Sequence, residues 1–363
     1  MPAPGWCGLL EKLEAERRKP KAIMDADEIR QSLATFIARE SGASEVTVEG
    51  LRRLPGGASR ETWSFDATLV RDGARESLDL VLRRDRADSL LATGRRDEFL
   101  LLRALRERAV PVPRVYWLGD EVETLGARFF VMQRVQGETL ARRLLRDEEY
   151  ANARGVMTAQ LGEILARIHG VDCSLEGIRQ LPGVAEEGKS LAEAEVDRYE
   201  ALFRAIAPEP HPAFELAFRW LRRHLPPTGR RTVVHGDYRI GNVIFGPEGV
   251  RSILDWELAH LGDPMEDLGW LCVRSWRFGS DHKPVGGIGE REQLFEAYAK
   301  AGGGSVDPAH VRFWEVFGNL KWACICIGQA KTHLDGAVFS VELASLGRRT
   351  AETELELLNL IER

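Results

Sequence analysis

Polar side chains that could bind a metal ion or accept a proton are concentrated between residues 232 and 270, in a stretch that is otherwise largely apolar. They are His235, Asp237, Asn242, Asp255, Asp263 and Asp267. Asp255 directly follows Ile253 and Leu254, and a carboxylate buried there would lose its hydration, so it needs a cation or several hydrogen-bond donors. Any one of these aspartates alone is more typical of a helix cap or a turn, but the whole set at this spacing indicates a functional site.

The elements around these residues predict how the side chains meet. The apolar runs 232–234 and 242–245 are typical of short buried strands, and the Gly-Pro-Glu-Gly turn at 246–249 leads into a further run at 250–256. The resulting hairpin would return Asp255 to Asn242 and to the loop that carries Asp237. Two carboxylates and one amide oxygen are ligands that suit Mg²⁺. The sequence therefore predicts a magnesium site next to this hairpin.

Length and composition limit the classes of protein that fit. The chain has 363 residues, enough for two domains, and 50 basic against 56 acidic residues give a net charge of −6 without long single-sign blocks. We therefore expect no nucleic-acid and no membrane partner, and a monomer or homodimer. Five cysteines without a C-x-x-C pair indicate a reduced, cytoplasmic protein. No apolar run reaches the roughly 18 residues of a membrane span.

Hydrophobic periodicity divides the chain into a strand-rich and a helical part. Residues 1–23 lack clear periodicity and are predicted to be a loosely ordered extension. A helix from Asp25 to Gly42, strands at 45–54, 61–70 and 76–84, a helix at 95–108 and strands at 115–118 and 127–135 follow. Helical patterns then dominate, at residues 151–169, 189–206, 212–224, 291–301, 311–333 and 343–361. This shift predicts one domain at 24–133 and a second at 134–363.

Two features of the strand-rich part are candidates for holding phosphate groups. The glycine-rich turn at 56–59 could bring backbone N–H groups close to phosphate oxygens, although an ordinary hairpin turn explains it equally well. Glu98 lies on the apolar face of the helix at 95–108, where a carboxylate needs a cation. Arg83, near the end of the preceding strand, is the natural partner. The alternative is a glutamate favoured by the helix macrodipole.

The order His235-Gly236-Asp237, then Asn242, then Asp255 after a hairpin resembles the aminoglycoside phosphotransferase family, which is related to protein kinases and choline kinases. Asp237 and Asn242 have the kinase spacing D-x-x-x-x-N. The resemblance extends from about residue 52 to the last helices, and is closest to a branch that includes the kinase-like domain fused to acyl-CoA dehydrogenases. It implies an α+β, protein-kinase-like two-lobed fold, with a small β-rich N-lobe that carries one key helix and a larger, mainly helical C-lobe.

The resemblance also implies roles in phosphoryl transfer. Asp237 would accept the proton of an acceptor hydroxyl, and Asn242 and Asp255 would hold Mg²⁺. Arg239 departs from the family pattern, because many aminoglycoside-modifying members lack a cation at this position, and it could contact the γ-phosphate or an anionic acceptor. Nucleotide-binding roles fall on Gly57, Ser59, Arg83, Glu98, Met132, Gln133 and Val135, the last three at the adenine-binding hinge. The nucleotide is expected to be ATP, with GTP as a possible substitute. His235, Asp263 and Asp267 would support the catalytic loop.

The acceptor is the least determined part of this hypothesis. Aminoglycosides are polycations and favour carboxylates, but a solvated helix face explains the acidic residues near Asp197 equally well. Basic residues follow the metal-binding strand, so we expect a small hydroxylated substrate with an acidic or apolar part. We therefore do not expect the protein to be a dedicated aminoglycoside-resistance enzyme. The candidate acceptor-site residues are Asp197, Glu200, Glu257, Arg274, Trp276 and Arg277.

Two other functions remain open at this point. One is a nucleotide-binding pseudokinase that acts as an interaction module, although the intact Asp237, Asn242 and Asp255 favour catalysis. The other is a metal-dependent phosphoesterase built on His235, Asp237, Asp255 and His260. That site usually needs more histidines, and it leaves Arg83 and Glu98 without a role.

Overall fold

The computed structural model describes residues 24–54, 60–85, 94–183, 185 and 188–362. The predicted extension at 1–23 and the predicted phosphate-contacting residues Gly57 and Ser59 lie outside these ranges. The chain divides into two compact units, the first running to residue 106 and including 112–136, the second comprising 107–111 and residues from 137 onward. The sequence placed the division at residue 133. Across the described part no helix has the length and apolar character needed to cross a bilayer.

The first unit consists of an antiparallel sheet with one helix packed on it, and two further helices lie between strands in the described part of the chain. Helix α1 (Ala26–Ser41) begins at Asp25, whose carboxylate accepts from two backbone N–H groups of the first turn, and ends at Gly42 in the left-handed region, as predicted. The sheet has the order β1-β2-β3-β5-β4. Its strands are β1 Glu45–Arg53, β2 Arg60–Arg71, β3 Ala74–Asp85, β4 Val115–Gly119 and β5 Phe129–Gln133.

Strand register positions the predicted nucleotide-binding residues of this unit. In the β3–β5 pair, Arg83 is opposite Phe130 and Val81 is opposite Met132. Helix α2 (Arg95–Glu107) buries Glu98 on the same face as its leucines, so the predicted apolar stripe with one carboxylate is confirmed. Strand β5 ends at Gln133, so the predicted strand at 127–135 is too long and Val135 follows it. A short helix, α3 (Val122–Leu125), joins β4 to β5.

The second unit is mainly helical and carries two small two-stranded sheets. Its helices are α4 Ala141–Arg146, α5 Ala151–Ile168, α6 Leu191–Ile206, α7 Pro212–Arg223, α8 Met265–Cys272, α9 Arg291–Tyr298, α10 Pro308–Leu334, α11 Val341–Leu346 and α12 Thr350–Glu362. Its strands are β6 Thr232–Val234, β7 Val243–Gly246, β8 Gly249–Ile253 and β9 His260–Gly262, with β6 paired to β9 and β7 paired to β8. The single C-terminal helix predicted at 343–361 is wrong, because a 3₁₀ turn at Gly347–Arg349 separates α11 from α12.

Helices α8 and α10 form the centre of the second unit. Every residue of α8 is buried, and the 27-residue helix α10 buries more than half of its length. Gly269 of α8 permits the close approach, because a Cβ there would lie 2.6 Å from the Cβ of Trp314 on α10. The two helices thus provide a rigid base under the loop that follows β6.

Candidate active site

The loop after β6 begins with a backbone turn that only glycine accommodates. Gly236 has φ +78°, and a Cβ at this position would lie 2.4 Å from the carbonyl oxygen of Leu258. The turn brings the chain from the buried strand β6 to Asp237, whose side chain is 16% exposed. The catalytic aspartate predicted from the sequence is therefore held in a loop whose path is tightly defined.

Three side chains orient the Asp237 carboxylate. The indole Nε1 of Trp270 donates to Oδ1 at 2.9 Å, and Nδ2 of Asn242 donates to Oδ2 at 2.6 Å. The Nε of Arg239 lies 3.0 and 3.2 Å from the two oxygens. A carboxylate with donors on both oxygens has a fixed orientation. This arrangement suits a group that must accept a proton at one position.

The predicted hairpin is confirmed, and it brings Asp255 back beside Asn242. Val243 pairs with Ile253, and the backbone N–H of Leu254 donates to the carbonyl of Asn242 at 2.8 Å. Asn242 uses Nδ2 for Asp237, so its Oδ1 can serve as a metal ligand. Asp255 has φ +68°, a conformation that few non-glycine residues adopt and that is often found at functional sites. This pair of oxygen donors fits Mg²⁺, which prefers oxygen ligands.

His235 connects the loop to the strand that leads to Asp255. Its Nε2 donates to the carbonyl of Leu254 at 2.9 Å, and its Nδ1 accepts the backbone N–H of Asp237 at 3.1 Å. Burial lowers the pKa of His235, which agrees with a neutral ring carrying its proton on Nε2. These contacts are those of a supporting residue, the role that the sequence assigned to it.

Asp267 holds the same loop from the side of helix α8. Its carboxylate accepts the backbone N–H groups of His235 at 2.8 Å and Gly236 at 3.0 Å, and Nε2 of His169 at 3.1 Å. Burial alone would raise the pKa of Asp267, but the hydrogen bond and charge of His169 lower it overall. Asp263, the other aspartate predicted to support the loop, accepts instead from the backbone of Met265 and from His310.

The sequence did not single out His169 or Trp270. His169 ends helix α5 and is fully buried, with Nδ1 2.9 Å from the hydroxyl of Tyr298 and Nε2 on Asp267. Trp270 lies on the buried helix α8 and donates directly to Asp237. In the sequence, a polar side-chain atom within an apolar helical pattern indicates that a hydrogen-bond partner is needed. It does not show which residue that partner is.

Trp270→Phe tests the hydrogen bond to Asp237 while keeping an aromatic ring in the core. A hydrogen bond to a charged group contributes about 1.5–3 kcal/mol, and loss of even the lower value at the transition state corresponds to roughly a tenfold lower rate. For the ATP-dependent phosphoryl transfer that the sequence predicts, we therefore expect kcat to fall about tenfold with little change in the KM for ATP. Steady-state kinetics measure both, and a change confined to KM would contradict this role.

The predicted Arg83–Glu98 pair is present in the first unit, and a third residue joins it. The Nε of Arg83 lies 3.8 Å from Oε1 of Glu98, whereas Nη1 of Arg95 donates to Oε2 at 2.9 Å. Arg95 also forms an ion pair with Asp85 at 2.6 Å, and this ion pair connects α2 to the end of β3. In β5, Met132 is buried, and Gln133 donates its backbone N–H to the carbonyl of Arg114.

The six candidate acceptor-site residues have different surroundings. Asp197 and Glu200 are both paired with Arg222, at 2.8 and 2.6 Å, on a helix surface. Glu257 is half-buried in a 3₁₀ turn. Arg274 and Arg277 line a cavity of about 560 Å³.

Trp276 is the candidate that lies beside the catalytic loop. Arg274 is paired with Asp281 at 2.8 Å, and the buried Arg277 with Glu315 at 3.0 Å. The guanidinium of Arg239, by contrast, stacks 4.8 Å from the centroid of the Trp276 ring, and Trp276 contacts the ring of Trp270.

His260, needed by the phosphoesterase hypothesis, has a hydrogen-bond partner at each of its ring nitrogens. Its Nδ1 lies 2.9 Å from the carbonyl oxygen of Leu258, and its Nε2 lies 3.0 Å from Oε2 of Glu266. Both ring nitrogens face acceptors, so both must carry protons. A doubly protonated imidazole cannot bind a metal ion through either nitrogen, and this hypothesis loses one of its ligands.

The pH dependence of stability tests the charge on His260. Burial lowers its pKa, but the carboxylate of Glu266 outweighs burial and the pKa is raised overall, with Glu195 raising it further and Lys321 opposing. A raised folded-state pKa stabilises the protein below the unfolded value of about 6.5, and this contribution is lost as pH rises through the folded-state pKa. The unfolding free energy lost in His260→Gln should therefore be largest near about pH 5.5 and decrease above about pH 7. Urea titrations across this range measure it, and a loss that grows with pH would contradict it.

Comparison with known proteins agrees with this geometry. Residues 51–313 match the APH phosphotransferase enzyme family model. Acyl-CoA dehydrogenase family member 10 from Mus musculus is 30% identical over 285 residues, a match that covers 75% of this chain and 26% of that protein. The chain thus spans about a quarter of that relative's length.

Solved structures show the same fold. A candidate aminoglycoside phosphotransferase from Ralstonia eutropha JMP134 superposes with a TM-score of 0.67 at 24% identity, covering 92% of this chain and 98% of that one. A thermostable mutant of aminoglycoside phosphotransferase APH(4)-Ia, in ternary complex with AMP-PNP and hygromycin B, superposes with 0.58 at 17% identity, covering 91% and 98%. The fold is therefore protein-kinase-like, with a small sheet-containing unit and a larger helical unit. The chain belongs to the APH phosphotransferase enzyme family.

Proposed function

We propose that this protein transfers the γ-phosphoryl group of ATP, with Mg²⁺, to a hydroxyl group of a small molecule. The observation that carries the proposal is the Asp237 carboxylate, fixed by Trp270, Asn242 and Arg239 next to a hairpin that returns Asp255 to Asn242. Membership of a phosphotransferase family supports the reaction class. The AMP-PNP complex of a protein with the same fold supports ATP as the donor.

Each of the four polar site residues in the second unit has a defined task in this proposal. Phosphoryl transfer has a loose transition state, so the protein mainly positions the groups and neutralises charge. Asp237 orients the acceptor hydroxyl and takes its proton, and the hydroxyl replaces one of the two contacts that Arg239 makes with the carboxylate. Arg239 then stabilises negative charge on the transferred group or on the acceptor. When bound by Asn242 and Asp255, Mg²⁺ supplies charge neutralisation on the ATP phosphates.

Arg83 of the first unit binds the α- and β-phosphates in this proposal. Most kinases use a lysine at this position, but a planar guanidinium can bind two phosphate oxygens at once. Glu98 keeps Arg83 in place, and Arg95 balances the remaining charge of Glu98 through its 2.9 Å hydrogen bond. The backbone of Gln133 and Val135 with the side chain of Met132 would bind the adenine.

The surroundings of Asp237 favour an acceptor with an acidic or apolar part. Arg239 offers a cation and Trp276 an apolar ring, and the two are stacked next to the carboxylate. Asp197 and Glu200 share Arg222, and each has a further cationic partner, Lys189 and Arg204 respectively, so these carboxylates offer little to a polycationic antibiotic. The proposed substrate is therefore a small hydroxylated molecule with an acidic or apolar part.

Nucleotide-dependent stabilisation tests the donor side of the proposal. Mg·ATP at about 100 times its Kd should raise the unfolding free energy by about 2.7 kcal/mol, and chelation of Mg²⁺ with EDTA should reduce this gain. Thermal-shift assays with Mg·ATP, Mg·GTP and ATP with EDTA measure it. Glu98→Gln should weaken the effect, whereas Glu76→Gln, an exposed carboxylate of the same unit, should not. No shift with any nucleotide would contradict the proposed donor.

A further inference from the structure

Helix α10 places a lysine in the core of the second unit. Lys321 is 1% exposed and lies between apolar neighbours, where an ammonium group is costly unless it is well paired. It is 84 residues beyond Asp237 in sequence, and the roles proposed above do not use it. A charge retained at such a position needs a structural or a functional reason.

The ammonium group of Lys321 has partners that bear directly on Asp237. Its Nζ donates to the carbonyl of Gly236 at 2.8 Å and to Oε1 of Glu266 at 3.0 Å. It also lies 4.7 Å from the ring centroid of Trp270, the indole that donates to Asp237. Lys321 therefore contacts both the backbone and the side chain that orient the catalytic carboxylate.

The contact with Gly236 fixes the peptide group that leads into Asp237. The carbonyl of that peptide accepts from Lys321, and its N–H, which belongs to Asp237, donates to Nδ1 of His235 at 3.1 Å. The preceding N–H, of Gly236 itself, donates to Asp267 at 3.0 Å. With both ends of the peptide held, rotation of the Asp237 backbone is restricted.

Glu266 connects this contact to the segment after Asp255. Its Oε1 accepts from Lys321 and its Oε2 from Nε2 of His260, whose Nδ1 donates to the carbonyl of Leu258. The oxygens of Glu195 and Glu266 and a nitrogen of His260 are close enough for a metal ion. However, Glu195 is paired with Arg198, and Glu266 already has two cationic partners. The cluster is thus a set of ion pairs with a closed hydrogen-bond pattern.

We propose that Lys321 is a positioning residue for phosphoryl transfer, which holds the Gly236–Asp237 peptide and thereby the direction of the Asp237 carboxylate. This inference rests on the proposed function. Lys321 touches neither substrate nor nucleotide in this account. Its effect is on the geometry of Asp237, and a displacement of about 1 Å at a reacting group can lower a rate about a hundredfold.

If Lys321 served only to neutralise Glu266, its loss would have a different effect. Variants of Glu266 therefore distinguish this structural role from the positioning role. Lys321→Met alone leaves the buried Glu266 without one cation, so a loss of stability is expected for either role. Glu266→Gln removes the charge that needs neutralising. In the double variant Lys321→Met, Glu266→Gln, stability should recover towards that of Glu266→Gln, while the Gly236 carbonyl still lacks its donor.

The first measurement compares the double variant with Glu266→Gln in the hydrolysis of Mg·ATP, where water takes the place of the acceptor. We expect kcat to be about ten- to a hundredfold lower in the double variant, with the KM for ATP within about threefold. The melting temperatures of the two variants should agree. Recovery of kcat to the value of Glu266→Gln would overturn the inference.

The second measurement is independent of turnover. Amide hydrogen exchange of the segment 233–242 should be faster in the double variant than in Glu266→Gln, because the peptide before Asp237 has lost its carbonyl partner. Equal exchange would overturn the inference, whatever the kinetics. If the wild-type protein neither binds nor turns over Mg·ATP, the proposed function fails, while the exchange experiment still decides whether Lys321 holds the loop.

Discussion

Asp237→Asn should lower kcat for phosphoryl transfer by about 10²–10⁴-fold, the usual contribution of a positioned general base. The Kd for Mg·ATP should change by less than about threefold, because in the proposed mechanism Asp237 acts on the acceptor and not on the nucleotide. Kinetics of ATP turnover and calorimetry of Mg·ATP binding measure the two quantities.

Asparagine is an informative substitution at this position because its side chain has nearly the same volume as that of aspartate. Its amide oxygen can still accept from Trp270 or Arg239, whose hydrogen bonds now hold Asp237. What it loses is a basic oxygen that can take a proton. Asp335→Asn, which changes an exposed aspartate of the same unit that is paired with Lys331, serves as a control. Turnover within about threefold of the wild type in Asp237→Asn would show that another group accepts the proton.

Asp267→Asn should destabilise the second unit by about 3 kcal/mol, although the proposed mechanism gives Asp267 no contact with the substrate. Its buried carboxylate accepts from the backbones of His235 and Gly236 and from His169. An asparagine offers one oxygen in place of two, and its NH₂ group would face one of these donors. Urea or thermal unfolding measures the loss.

Asp263→Asn is the matched control for Asp267→Asn. Asp263 is also buried, but among the residues that the structure describes it accepts from Met265 and His310, and from neither loop amide. Its substitution should therefore cost less stability and should leave the loop in place. An equal loss of unfolding free energy in the two variants would show that the hydrogen bonds from the loop amides to Asp267 contribute no additional stability.

The part of the site that lies close together in sequence could be predicted. A Gly-Pro-Glu-Gly turn between two apolar runs is a hairpin signal, and once the hairpin forms, Asp255 must return to Asn242. The Arg83–Glu98 pair was also predictable, since a glutamate on an apolar helix face requires a cation. In both cases local pattern and charge balance leave few alternatives.

The residues that orient Asp237 from a distance were not predictable in the same way. Trp270 and Lys321 lie on two different helices, and His169 lies at the end of a third. Trp270 contacts Asp237, Lys321 contacts Gly236, and His169 contacts Asp267, and these contacts form only after the helices have packed. A buried polar residue can be suspected from an apolar pattern, but its partner depends on helix packing that periodicity does not specify. Arg95 was missed for a related reason, because its sequence position is equally typical of a solvated helix start.

The acidic helix face near Asp197 shows the converse limit. Its carboxylates were a candidate site for a cationic acceptor, but the neighbouring helix α7 supplies Arg222 to both Asp197 and Glu200. Exposed ion pairs of this kind contribute little to stability, yet they neutralise the charge that a polycation would need. The sequence shows both charges, while their pairing is a property of the fold.

The most direct test of the central claim is transfer of phosphate from ATP to a hydroxylated small molecule. The protein would be incubated with Mg·ATP and a mixture of hydroxylated metabolites, and the products analysed by mass spectrometry, with Asp237→Asn as the blank. We predict at least one metabolite that gains a phosphoryl group only with the wild-type protein and only in the presence of Mg²⁺. A phosphorylated product formed equally by Asp237→Asn, or binding of Mg·ATP without transfer to any hydroxyl compound, would contradict the account.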